Sequence, residues 1–290
     1  MVEKVAVLGG TGKMGQWFAR FFKKKGYRVV IGGRSSQKNR IVAKELRVES
    51  ASSNIEATQE ADIIVISTPI ETVPETVLKI KDYIAQGSTV FDISSVKSGV
   101  CKALEVLHDK GAEVTSIHPM FGPGADSIKG KKIIVVPVVK NSKATAWVAD
   151  FFQKEGAEVH IVKDAEEHDR TIAVTLGLVH FLNISLSRVL AKHDIQKIKE
   201  LTGTTFSLQL TLAEAVLSED PELYYGIEAL NPFFKDLAAD IISAMEKTYA
   251  DLDSKESFVQ HFVESRVALA NDSQFSTAYE RFYRALKAST

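Results

Sequence analysis

An apolar run closes in Ser116-Ile117-His118-Pro119-Met120-Phe121-Gly122-Pro123-Gly124, which sets an imidazole where a strand should give way to a loop. A neutral imidazole accepts a proton near pH 7, and the prolines and glycines beyond it stiffen the loop while letting its backbone approach a ligand closely. A single histidine at a strand end is also a common structural residue, so His118 becomes a candidate base only if other groups converge on it. The stretch Asp92-Ile93-Ser94-Ser95-Val96-Lys97-Ser98 follows another apolar run and brings hydroxyls and an ammonium. Ser95 is suited to holding the imidazole in one tautomer and Lys97 to meeting an anionic group, while Ser98 serves equally well as a helix cap.

A third group is Gly9-Gly10-Thr11-Gly12-Lys13-Met14-Gly15, which contains G-x-G-x-x-G as Gly10, Gly12 and Gly15 between an apolar run and a helical pattern. In that setting the glycines permit a tight turn, close approach of a pyrophosphate and helix-to-strand packing, and the helix N-terminus offers N–H groups to the anion. About 20 residues further on, where such folds place an acid for the ribose 2′-hydroxyl, this chain has Gly32-Gly33-Arg34-Ser35-Ser36, with Lys38 and Arg40 following. A guanidinium and two hydroxyls suit a 2′-phosphate that an acid would repel. NADP is therefore expected, with NAD as the alternative should Arg34 only stack on the adenine or point to solvent. Ser67-Thr68-Pro69 ends a further strand, either as a cofactor contact beside the ribose and nicotinamide or as a plain strand stop.

The elements that must position these groups alternate in the first half. Val5–Leu8, Tyr27–Ile31, Ile63–Ile66, Thr89–Ile93, Glu113–Ile117, Ile133–Val138 and Glu158–Val162 read as strands, with amphipathic helices between the early ones. Near-continuous Val/Ile runs separated by helices imply a Rossmann-type, mostly parallel sheet with helices on both faces, whose ligands lie outside the carboxyl ends of the strands. Residues 1–163 would form this α/β dinucleotide-binding domain, and residues 164–290 an all-α domain. Residues 165–190 read as one long helix on which His180, Asn183 and Ser187 form a polar column, either bonded between helices or lining a substrate pocket. Glu167-His168-Asp169 near its start reads as an acidic first turn, with His168 structural.

Composition narrows the classes. A net charge of −1 in 290 residues gives no bias towards nucleic acid or membrane, and the chain is expected to be cytoplasmic. Cys101 is the single cysteine, which rules out an internal disulfide and a cysteine-based metal site, and it reads as an inert thiol on a helix.

Together Val7–Gly15, Ser95-Val96-Lys97, His118-Pro119-Met120-Phe121-Gly122-Pro123, Glu167-His168-Asp169 and His180-Phe181 resemble the prephenate and arogenate dehydrogenase family of tyrosine biosynthesis. The resemblance implies that His118 is the catalytic histidine, that Ser95 contacts substrate and histidine, that His180 lies near the substrate pocket, and that the helical half forms a homodimer. It implies an oxidative decarboxylation needing no metal: hydride leaves the carbinol carbon, the hydroxyl proton goes to His118, and the ring aromatises as carbon dioxide departs. Many members carry an arginine for the ring carboxylate where this chain has Ser207, so Arg188, Arg170, Lys97 or Arg266 would have to supply the charge. Two rivals remain: another Rossmann oxidoreductase of the 3-hydroxyacid or deazaflavin–NADP type, and a non-catalytic dinucleotide-binding regulator.

Overall fold

The β-branched runs pair into one sheet. In a computed structural model, which describes residues 2–140 and 142–289, the strands are β1 (Lys4–Leu8), β2 (Arg28–Gly32), β3 (Glu49–Ser50), β4 (Ile63–Ile66), β5 (Thr89–Asp92), β6 (Glu113–Pro119), β7 (Lys132–Pro137) and β8 (Glu158–Ile161). They lie in the order β3-β2-β1-β4-β5-β6-β7-β8. Every pairing is parallel except that of β6 with β7. The helices of this half are α1 (Lys13–Lys24), α2 (Ser36–Leu46), α3 (Asn54–Thr58), α4 (Val73–Ile80), α5 (Ser98–His108), α6 (Lys143–Lys154) and α7 (Ala165–Ile172).

Alternation along each strand divides the core between two faces. Val5, Val7, Val65, Ile117 and Val135 join Phe18 and Phe22 of α1 and Val148 and Phe152 of α6 in one cluster. Ala6, Leu8, Ile64, Ile66 and Val114, also fully buried, look to the opposite face, where α5 packs on β6. Each fully buried Phe or Ile contributes about 1.5–3 kcal/mol, so a sheet covered on both sides is a stiff platform for what its edge carries.

A π-helical turn (Ala173–Gly177) leads into α8 (Leu178–Leu190), α9 (Ile195–Glu200), α10 (Thr204–Leu217), α11 (Pro221–Ala229), α12 (Phe234–Ala250), α13 (Lys255–Leu269) and α14 (Ala278–Ser289), with no strand among the described residues of this half. The chain forms two compact units, Met1–Ala173 with Glu222–Phe233, and Val174–Pro221 with Phe234–Thr290. Compactness keeps α7 with the sheet unit, because the helix buries His168, Asp169 and Ile172. The segment after α10 also returns to the sheet unit, where Asn231 Nδ2 donates to the backbone carbonyl of Asp169 at 2.8 Å. By length and composition, residues 165–190 are long and apolar enough to cross a membrane, and His168, Asp169 and Ile172 near their start are buried in the sheet unit.

In the helical unit, α12 to α14 leave many apolar side chains in solvent, including Phe258, Val259, Phe262, Val263 and Val267 of α13. That face is far more apolar than solvated helices ordinarily present.

Candidate active site

Register alone assembles one edge. Leu8 pairs with Gly32 and Ile66, Ile66 with Asp92, and Asp92 with Ser116. Two residues further along each chain come Gly10, Arg34, Thr68, Ser94 and His118, so the sequence motifs converge at the carboxyl ends of adjacent strands. His118 does not begin a loop: β6 continues through Pro119, and His118 pairs with Ile134 of β7. The second neighbour strand holds the imidazole more firmly than a loop would.

The partner of His118 is His168. Asp164 caps α7, its carboxylate accepting the Glu167 N–H at 2.9 Å while Glu167 accepts the Lys163 N–H. This capping box starts the helix so that His168 and Asp169 turn inward, both fully buried. The nitrogens His118 Nδ1 and His168 Nε2 are 3.0 Å apart, and His168 Nδ1 is 2.7 Å from Asp169 Oδ1. A carboxylate only accepts, so His168 donates from Nδ1, and its unprotonated Nε2 accepts from His118 Nδ1. One tautomer of His118 follows, with its Nε2 lone pair left to accept a proton. Ser95, half-buried, is therefore not the group that sets the tautomer, because His168 occupies Nδ1. Sequence reasoning missed His168 and Asp169 by treating them as a solvated first turn; the signal was the Asp164–Glu167 box, which fixes the helix phase.

Asp169 is held from the other side by α5. Its Oδ1 accepts the Lys97 N–H at 2.8 Å, and its Oδ2 accepts the Ser98 N–H and hydroxyl at 2.8 and 2.6 Å. Burial works against the carboxylate, but the bonds from His168, Ser98 and the two backbone amides outweigh it and hold the group below the usual 3.8. Burial, then His168 and the Lys97 ammonium, hold His118 well below 6.5. Burial also lowers His168, the Asp169 bond offsetting part of the effect. Both rings are neutral at pH 7.

Lys97 is not a substrate contact. Its side chain is 0% exposed, and Nζ donates to Asp92 Oδ2 at 2.9 Å and to the Ile117 carbonyl at 2.7 Å. Asp92 also accepts from Ser116 Oγ and, at 2.7 Å, from the Ser94 N–H. An ammonium so enclosed serves the underside of the site. Cys101 beside this network is pushed up to about 12, mainly by burial, and is inert as expected.

The nucleotide end lies in the same unit. The Gly9 and Gly10 amides donate to the Gly32 carbonyl at 2.9 and 3.1 Å, tying the loop to β2. A Cβ on Gly15 would stand 2.4 Å from the Gly9 carbonyl oxygen, so only glycine lets α1 pack this closely on the loop. Gly12 begins α1 without a side-chain cap, leaving first-turn amides of the helix, with Thr11, Lys13 and Met14 beside it, for an anion. Thr68 Oγ1 and Ser94 Oγ are buried without hydrogen-bond partners, as donors awaiting a ligand would be. Ser67 and Thr68 are half-buried and Pro69 exposed. A side chain at Gly33 would meet Asn39 Oδ1 at 2.8 Å, which excludes an acid there, while Arg34 and Ser35 are exposed. Ser35 Oγ accepts the Lys38 N–H at 3.3 Å as the cap of α2. These residues fit a dinucleotide.

In the helical unit, Asn183 is a structural bridge instead of a substrate contact: Nδ2 donates to the Val179 carbonyl at 2.8 Å and Oδ1 accepts from Gln209 of α10 at 2.7 Å. Ser187 bonds to the Asn183 carbonyl at 2.7 Å. His180 is 8% exposed, and burial pushes it down to about 4. Ser207 turns its hydroxyl back to the Gly203 carbonyl. Arg170 pairs with Glu166 and lies 4.1 Å over the Phe233 ring, and Arg266 lies 5.0 Å over Phe262; Arg188 is exposed.

Residues 18–189 match the family description "Prephenate dehydrogenase, nucleotide-binding domain", and residues 164–288 match "Prephenate dehydrogenase, dimerization domain". The chain belongs to the prephenate dehydrogenase family. A Methanocaldococcus jannaschii protein named "Probable arogenate/prephenate dehydrogenase" is 32% identical over 95% of this chain and 63% of its own length. The T-protein of Haemophilus influenzae is 29% identical over 86% of this chain and 60% of its own length. The chain thus spans about three fifths of these relatives. Among solved structures, Synechocystis arogenate dehydrogenase superposes with a TM-score of 0.71 at 16% identity, covering 93% of this chain and 99% of its own. Prephenate dehydrogenase from A. aeolicus, in complex with hydroxyphenyl propionate and NAD+, gives 0.71 at 18% identity over 93% and 98%. At such identities the likeness is one of fold.

Proposed function

We propose that this protein oxidises prephenate or arogenate with a pyridine nucleotide, giving 4-hydroxyphenylpyruvate or tyrosine and carbon dioxide. The observation that carries the reading is a neutral, single-tautomer His118 on the strand edge that also bears the glycine loop. The relatives named for these substrates support it.

When bound, the nicotinamide accepts the hydride leaving the carbinol carbon. Everything else falls to the chain. Gly10 to Gly15 anchor the pyrophosphate, and Ser67 to Pro69 border the ribose and nicotinamide. His118 Nε2 takes the hydroxyl proton as the carbonyl forms, and Ser95, on the same edge, orients the hydroxyl. The keto ring then expels carbon dioxide and aromatises. Gly33 and exposed Arg34 favour NADP over NAD. Asn183 and Lys97, each held in its own hydrogen bonds, are withdrawn from substrate contact. We place the enzyme in the cytoplasm as a homodimer joined through its helical unit.

Nicotinamide absorbance, followed with prephenate and with arogenate against NADP and NAD, tests the reading. Turnover with one pair is expected. In H118A it should fall by roughly 10²–10⁴-fold, the usual value of acid–base assistance, with cofactor affinity little changed. No turnover by the wild-type protein with any pair, despite NADP binding, would shift the reading to another Rossmann oxidoreductase.

A further inference from the structure

We propose that the proton taken from substrate does not stay on His118 but passes to His168, so that the positive charge created in the reaction ends on the His168–Asp169 pair. The proposal rests on the dehydrogenase reading and deepens it by naming His168 and Asp169 as positioning residues for the base. It begins from the bond chain. As the substrate O–H breaks and His118 Nε2–H forms, His118 Nδ1–H can break and His168 Nε2–H form across 3.0 Å. Two bonds to hydrogen are made and two broken, while the substrate's two electrons leave with the hydride to the nicotinamide.

Charge in the enclosed cluster favours that end point. Asp92, Asp169, Lys97 and His168 are 0% exposed and His118 4%. Two carboxylates and one ammonium leave the cluster at −1 with both rings neutral, and at zero once a proton has entered. Charge is costly in such surroundings and burial keeps both rings neutral at rest, so a proton forced in by the reaction goes to the ring whose neighbours offset that cost. Position within the cluster decides which ring keeps the proton. Asp169 lies 2.7 Å from His168, whereas the Lys97 ammonium bonds to the carbonyl of Ile117, next to His118. Burial and the Lys97 charge disfavour protonation of either ring, but at His168 the hydrogen bond and charge of Asp169 and the charge of Asp92 oppose them, whereas at His118 no carboxylate does.

The elements around His168 bring other titratable groups, of which Glu228 on α11 is raised to about 7 by burial. From β6 it faces His118; from the turn into α5, Lys97 and Ser98; from β5, Asp92. β7, also packed on α7, presents the apolar run Ile133–Val136 beyond exposed Lys132. The α11 segment brings Asn231, bonded to the Asp169 backbone, and carries the half-buried Glu228.

The test joins kinetics with a spectroscopic readout that needs no turnover. Wild-type turnover in mixtures of light and heavy water should follow a curved proton inventory, two protons being in flight, and H168Q should make it linear. Turnover in H168Q should fall at least about 10-fold, towards the 10²–10⁴-fold cost of losing acid–base assistance, with the substrate KM nearly unchanged. In the protein free of substrate, imidazole nitrogen resonances should show His118 protonated on Nδ1 and bare on Nε2. A linear inventory in the active wild-type enzyme, or full turnover in H168Q, overturns the relay while leaving the dehydrogenase reading intact. Resonances showing His118 protonated on Nε2 overturn it whatever the activity. A wild-type protein inert towards both substrates overturns the functional reading itself.

Discussion

At the scale of single residues, a few acceptor-only oxygens dictate the state of the site. Asp169 orders two imidazoles because it can only accept, and Asp92 keeps Lys97 beneath them. This arrangement makes stability depend on pH in a predictable direction. His118 and His168 are held below 6.5 in the folded chain, and His180 at about 4. Between pH 6.5 and about 4 the unfolded chain therefore binds more protons at these rings, which lowers stability as pH drops, while Glu228, raised to about 7 by burial, takes up its proton in the folded chain and acts in the opposite sense. Asp169, held below 3.8, adds its own loss at still lower pH. The loss of denaturant midpoint specific to the rings should appear as a difference between proteins: from pH 6.5 down to about 4 the midpoint of H168Q should fall less, or rise more, than that of the wild type, and identical pH profiles contradict the buried neutral pair. Arg34, exposed just beyond the end of β2, carries the proposed preference for NADP. R34A should weaken NADP by about 10-fold or more, the worth of a charge-assisted hydrogen bond to phosphate, and leave NAD almost unchanged; equal loss in titrations of both would remove Arg34 from phosphate recognition.

At the scale of elements, each helix start does a specific job. The N-terminus of α1 has no side-chain cap, Asp164 sets the phase of α7, and the N-terminus of α5 receives Asp169 from another element. The first of these depends on close contact. G15A would bring a Cβ to 2.4 Å from the Gly9 oxygen and 2.9 Å from the Gly10 Cα, and both neighbours are backbone. We expect about 1–3 kcal/mol of destabilisation, as for other overpacked sites, together with weaker binding of either nucleotide. Unfolding curves and cofactor titration would check both, and unchanged affinity would mean that the loop tolerates a lifted helix. Much of this level was legible beforehand: the seven main strands appear where the β-branched runs lie. The extension of β6 through His118 and Pro119 was not, since proline and the glycines after it suggested a loop, and pairing with β7 overrode that local preference.

At the scale of the whole molecule, the sheet unit carries His118, His168, Asp169 and the glycine loop in one body, and the helical unit carries an apolar surface. Phe258, Val259, Phe262, Val263 and Val267 of α13 are all more than 40% exposed, a face that a second copy would cover. F262D combined with V263D should convert a dimer to a monomer, read by light scattering on a sizing column, with a lower melting temperature; a wild-type protein that elutes as a monomer at micromolar concentration would defeat the expectation. The return of residues 222–233 to the sheet unit also belongs to this scale, because no local pattern in a run of helices says which body each joins.

Periodicity, glycine spacing and strand-end chemistry were enough to read the α/β sheet, its nucleotide loop and His118, since each depends on neighbours within a few residues. The partners of His118 were beyond that reach. His168 lies 50 residues away, and Asp169 meets Lys97 and Ser98 across 72 and 71. Lys97 looked like an exposed cation and proved to be sealed, because whether a charge meets solvent or a buried carboxylate depends on which elements close over it. Ser95 and His168 exchanged expected parts for the same reason. A hydroxyl nearby in sequence had only to be plausible, whereas the hydrogen bond goes to whichever donor or acceptor the packed helix holds within 3 Å of the ring.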